Sequence, residues 1–214
     1  MLLVPFIDVS DVDNPDLIKE KLNGIPLNNI SCVDWPDQYP SKPDVSFKIA
    51  HNGDFLFLRF FVEENEILAN VTEDNGSVWN DSCVEFFLSI GDDPYYYNAE
   101  FSCIGTALLG YRKGREGAVH ASKPVMEQIR RFSSLGADPI KKEQGEFKWD
   151  LLVAIPVAAY WNSGLQTFKG LRAKANFYKC GDELTVPHYL SWNPVLTENP
   201  DFHVPRFFGE VEFE

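Results

Sequence analysis

Two strictly alternating runs, "CVEFFLSI" (Cys83–Ile90) and "YYYNAEFSC" (Tyr95–Cys103), stand on either side of "GDDP". Successive side chains of a strand point to opposite faces, so such runs read as half-buried strands, here Val84–Ile90 and Tyr95–Cys103. Gly, Asp and Pro between them are turn residues. Val84, Phe86 and Leu88 form an apolar face, and Cys83, Glu85 and Phe87 the other. On the second strand Tyr97, Ala99, Phe101 and Cys103 oppose Tyr96, Asn98, Glu100 and Ser102. A four-residue turn, Gly91–Pro94, sets Ile90 across from Tyr95 and therefore Glu85 across from Glu100, with Asn98 diagonal. Like charges opposed on neighbouring strands destabilise a sheet unless something shared satisfies both. A cation, an arginine or a ligand rich in hydroxyl groups would serve.

The remaining chain repeats the theme. "DVSFKIAHNGDFLFLRFFV" (44–62) predicts a hairpin in which Asn52-Gly53 supplies the positive φ angles of a two-residue turn. Its second arm is apolar on both faces, as in a central strand. Further strands are expected at Phe147–Ile155, Leu171–Cys180 and Phe207–Phe213, with helical turns at Asp16–Leu22 and Val157–Tyr160. Long loops fill 110–144 and 181–205. No repeat or Ser/Gly linker divides the 214 residues. The fold class expected is all-β: one domain over 1–214, a two-sheet sandwich with short helical turns in its loops.

A net charge of −13 argues against nucleic acid or an anionic membrane as partner. No apolar stretch is long enough to span a bilayer, and "MLLVPFIDVSD" has no basic leader region. The default expectation is a cytoplasmic protein, unless a leader was removed. Cys32, Cys83, Cys103 and Cys180 form no CxxC pair and read as free thiols, with a Cys83–Cys103 bridge as the alternative. His188 and His203 flank Trp192 but have no third metal ligand at useful spacing. Arg112, Lys113 and Arg115 are placed to edge a pocket.

Trp79, flanked by Asn80, Asp81 and Ser82, and Trp192, in "HYLSWNPV", are indoles in polar loops. A sugar ring packs its C–H face on such a plane while carboxylates, amides and guanidinium groups meet its hydroxyls. Glu85, Asn98, Glu100 and Arg172 supply those groups. Arg172 shares the polar face of its strand with Lys174, Asn176 and Tyr178. Trp35, Trp149 and Trp161 read as core or edge packing.

Four segments carry a resemblance: "WPDQYPSKPDVSFKIAHNGDFLFLRFFVEE", "DSCVEFFLSIGDDPYYYNAEFSCIGTALLGY", "WDLLVAIP" and "HYLSWNPV…DFHVPRFFGEVEF". From Asp34 onward the chain is similar to the family 9 carbohydrate-binding modules, above all to stand-alone, bacterial members. The resemblance implies a jelly-roll sandwich that binds sugars without cleaving them. Two tryptophans would grip a terminal sugar: Trp79, six residues before Glu85, and Trp192 near the C-terminal end. Asn98 and Glu100 fall where the family places an arginine and an amide. Structural calcium is implied too, although no calcium-loop spacing is readable; no other cofactor is expected. The function implied is non-catalytic binding of an oligosaccharide or polysaccharide in carbohydrate catabolism, alone or beside glycan-degrading enzymes. The alternative is a glycoside hydrolase using a Glu85/Glu100 pair. Sandwich relatives that hold haem through Met and His offer only Met126, which reads as an ordinary loop methionine.

Overall fold

A computed structural model describes residues 1–91 and 94–214. Asp92 and Asp93, at the centre of the expected Gly91–Pro94 turn, lie outside the described residues. Among the described residues the strands form two sheets, one of nine strands and one of five, packed as a β-sandwich. In the larger sheet Cys83–Ile90 lies between Arg172–Cys180 and Tyr96–Ser102, and Ala107–Arg112 follows. Glu85 is opposite Glu100 and Phe87 opposite Asn98, the register that the alternation predicts. In the smaller sheet Phe55–Ala69 is central, between Asp44–His51 and Ile140–Pro156.

Val84, Phe86 and Leu88 point between the sheets and pack with Phe47, Leu58, Phe60 and Phe177. Phe47 and Phe177 come from opposite sheets and stack with ring centroids 3.6 Å apart. Met126 is buried in this same core. The outer face of the smaller sheet is covered by helix Pro15–Leu22, whose Ile18 and Leu22 meet Phe57, Leu152 and Ala154. Asn14 caps that helix by accepting from the Leu17 N–H at 3.2 Å. No helix among the described residues is long and apolar enough to cross a membrane.

Several elements depart from the sequence expectation. Only Gly53, with φ 94°, takes a positive angle in the first hairpin turn. Asn52 instead accepts the Asp54 and Phe55 N–H groups on its side-chain oxygen, which moves the turn one residue onward. Ile140–Pro156 is twice the expected length because its polar first half pairs with the far end of Phe55–Ala69. The expected loop 110–144 also contains the strand Arg130–Ser133 and the short helix Lys123–Met126. All four cysteines are free. Cys83 points outward and Cys103 inward, so the Cys83–Cys103 bridge is ruled out by parity; Cys83 lies opposite Ser102 and Cys180 instead.

One charge cluster ties the sheets together. Lys179 lies on the inward parity of Ala175 and Phe177, fully buried, and reaches Glu64 of the facing sheet at 2.9 Å. Its ammonium also meets the Cys180 carbonyl and His188 Nε2, both at 2.9 Å. Glu64 accepts from the Trp149 indole at 2.8 Å. Burial first, then Lys179, pushes His188 down to about 2, which leaves it neutral and able to accept. Removing one member of such a pair strands the other charge. Lys179→Met is expected to lower stability by about 3–5 kcal/mol in urea titration, and the double change Lys179→Met with Glu64→Leu by clearly less. Equal losses would deny that the ion pair is the stabilising unit.

Candidate functional site

The face carrying Glu85 is not the wet polar surface that alternation suggests. Cys83, Phe87, Tyr96 and Tyr178 form a second apolar cluster, roofed by Trp35, Val195, Phe202 and Phe208 from distant loops. Tyr178 stacks on Phe202 with centroids 4.0 Å apart. Beneath this roof Glu85 and Glu100 are each only 3% exposed, and Asn98 is fully buried.

The roof is open at one place. A hollow of about 330 Å³ has Glu85, Glu100 and Cys180 at its floor and Trp79, Tyr189, Phe202 and His203 along its walls. Arg112, Arg115, Asp182, Pro200 and Asp201 complete its lining. Trp79 stands on a single helical turn, Val78–Asn80, directly before the Glu85 strand. Its carbonyl accepts the Asp182 N–H at 3.1 Å, so the loop bearing the indole is tied to the chain leaving Cys180. The indole remains 37% exposed.

At the floor, the Cys180 thiol donates to Glu85 Oε1 at 3.0 Å, and Asn98 Nδ2 donates to Glu100 Oε1 at 2.8 Å. Gly110 lies opposite Asn98, and a Cβ there would stand 2.5 Å from Asn98 Oδ1; only glycine leaves room for the amide. Burial and then the neighbouring Glu100 raise Glu85 well above the usual carboxylate range. Burial likewise raises Glu100, against the pull of Asn98 and Arg112. Glu100 Oε2 and Arg112 Nε have no hydrogen-bond partner among the described residues. Tyr96 OH is 2.9 Å from His203 Nδ1. Burial, with Arg112 and Arg115 behind it, pushes His203 down to about 3 and keeps it neutral.

Of the six residues read from the sequence, Trp79, Glu85 and Glu100 line this hollow, and Asn98 is bonded to its floor. Arg172 and Trp192 are elsewhere, which corrects the expectation of a shared site. Arg172 is exposed and paired with Glu212 at 3.0 Å. It sits six residues before Tyr178, the neighbour of Glu85, roughly 20 Å along the strand. Trp192 shares the parity of the inward Leu190 and packs edge-on against Phe47 and Phe177. Tyr189, of the opposite parity, is the aromatic that the strand Tyr189–Ser191 presents to the hollow.

Arg112 takes the place foreseen for Arg172, and His203 lines the hollow while His188 does not. Extending the alternation one strand further places Arg112, read above only as edging a pocket, beside this floor, because Leu108, Gly110 and Arg112 oppose Glu100, Asn98 and Tyr96. One group of three or more His, Cys, Asp or Glu side chains converges among the described residues: Cys83, Glu85 and Cys180. Its two thiols do not suit calcium, which takes oxygen ligands.

A candidate carbohydrate-binding protein from Bacteroides uniformis shares 40% identity with this chain over 100% of it and 98% of the other, with a TM-score of 0.95. Two structures of a family 9 carbohydrate-binding module from Caldicellulosiruptor kristjanssonii share the fold. The glucose complex is 14% identical, with a TM-score of 0.56 over 100% of this chain and 95% of that one. The cellotriose complex is 13% identical, with a TM-score of 0.58 over 100% and 93%. A search of curated proteins gives no match. The sequence profile described as carbohydrate-binding family 9 matches residues 14–213. That match spans nearly the whole sandwich, and the chain belongs to carbohydrate-binding family 9.

Proposed function

We propose that the hollow between Trp79 and the Glu85/Glu100 floor binds a sugar unit of an oligosaccharide or polysaccharide without cleaving it. The observation that carries this reading is the pairing of a half-exposed indole with buried, incompletely bonded polar groups in one opening. Trp79 and Tyr189 offer planes for the C–H face of a ring. Glu100 Oε2 and Arg112 Nε offer an acceptor and a donor to its hydroxyls, and burial strengthens both bonds by excluding competing water. The glucose and cellotriose complexes of the Caldicellulosiruptor module support a neutral hexose as ligand. We extend the reading to a role in carbohydrate catabolism, alone or beside glycan-degrading enzymes.

The hydrolase alternative is weaker. Glycosidase carboxyls flank the scissile bond. Here Glu85 and Glu100 are neighbours on one floor, each already bonded to a side chain beside it. The unmodified protein is expected to release no aryl alcohol from aryl glycosides; turnover abolished by Glu100→Gln would reinstate the enzyme.

Calorimetry with glucose and cello-oligosaccharides tests the binding reading. Trp79→Ala should weaken binding at least about tenfold, or 1.4 kcal/mol. Trp192→Ala should lower the unfolding midpoint and leave the affinity of the folded protein unchanged. The opposite pattern would move the site to Trp192.

The carboxyl pair also predicts a pH dependence. Both groups titrate above their ordinary 4.5 in the folded chain, so between 4.5 and the raised values the native state holds more protons than the unfolded one. Stability contributed by the pair therefore falls as pH rises through that window. Glu85→Gln, which ends the repulsion, should flatten the slope of urea midpoints between about pH 5 and about pH 8. An unchanged slope would deny the coupling.

A further inference from the structure

We propose that Cys83, Cys180 and Glu85 form a binding site for a thiophilic divalent cation of the zinc class. Cys83 and Cys180 are register partners on adjacent antiparallel strands, and Glu85 lies two residues from Cys83 on the same outward face. One donor atom from each lies within 4.8 Å of the other two, and Cys180 Sγ is already 3.0 Å from Glu85 Oε1. Tetrahedral zinc, with bonds of about 2.3 Å to sulfur and about 2.0–2.2 Å to oxygen, holds its donors roughly 3.5–3.8 Å apart. Small side-chain rotations close that difference.

Access agrees with the geometry. Cys180 and Glu85 both line the hollow, so an ion meets these two donors first, with Cys83 fully buried beside them. Three protein donors with a fourth position facing an opening are a recurrent zinc arrangement. Glu100, opposite Glu85 and only 3% exposed, lines the same hollow with Oε2 unpartnered. That oxygen can accept a hydrogen bond from a water molecule in the fourth position. Thiolates favour zinc and cadmium over calcium or magnesium. Binding ionises both S–H groups and, where it is protonated, the Glu85 carboxyl, so two or three protons are released as two metal–sulfur bonds and one metal–oxygen bond form; affinity therefore rises with pH. The assignment does not rest on sugar binding, although the ion would occupy the floor of the same hollow and share Glu85 and Glu100 with it.

Cadmium is a direct probe. The full chain, reduced and stripped with chelator, is titrated with Cd²⁺ while the thiolate-to-cadmium absorption and the native mass are followed. One ion per chain is expected, with an absorption band that saturates and strengthens with pH. Cys83→Ser and Cys180→Ser should each remove the band, whereas Cys32→Ser should keep it. Glu85→Gln retains both thiols and should weaken Cd²⁺ binding at least about tenfold. No saturable band in the unmodified chain overturns the assignment, as does a band that survives in both serine variants. If the serine variants do not fold, Glu85→Gln decides: undiminished affinity overturns it.

Discussion

Everything at the site depends on the sealing of the outer face of the larger sheet. In many sandwiches one face of a sheet is core and the other meets water. Here both faces of Cys83–Ile90 are buried. The second cover comes from loops, through Trp35, Val195, Phe202 and Phe208 packed on Phe87, Tyr96 and Tyr178. Such a roof gains stability from apolar burial, and it also withdraws water from whatever polar groups share the face. Two carboxyl groups, an amide and a thiol are thereby placed in a low-dielectric floor with an opening above it.

That environment explains how the like-charge pair persists. In water, Glu85 and Glu100 would both ionise and repel across the hairpin. Under the roof, burial favours their protonated forms. Asn98 and Cys180 each donate to one carboxyl oxygen, while Arg112 brings positive charge from the next strand. The arrangement leaves one Glu100 oxygen, the Asn98 amide oxygen and one Arg112 guanidinium nitrogen without a hydrogen-bond partner among the described residues. Buried polar groups are seldom left so. Their place beside a hollow is what distinguishes this floor from ordinary packing.

Period-two patterning made the sandwich class, the central strand Phe55–Ala69 and the Glu85/Glu100 opposition readable, because alternation is a local property of the chain. Trp79 was readable because an indole among Asn, Asp and Ser has no local apolar partner. Trp192 looked the same and was not, since its neighbours Phe47 and Phe177 arrive from strands far away in sequence. Tyr189 was illegible for the converse reason: its three-residue strand is too short for a periodicity to state where it lands. His203 was legible only through its nearness to Trp192 in the sequence, which does not separate it from His188. Lys179 was hidden by composition. A lysine on an inward parity contradicts the usual rule, and only the distant Glu64 and His188 make it tolerable.

Lys179 and Cys180 are consecutive, so their side chains leave the sheet in opposite directions. One is anchored to the facing sheet through Glu64, and the other holds the carboxyl oxygen of Glu85. A single peptide unit thus acts as a rivet between the interior of the sandwich and the base of the opening. An arriving molecule would meet a surface whose ordering was completed during folding, and little of its affinity would be consumed in immobilising that surface.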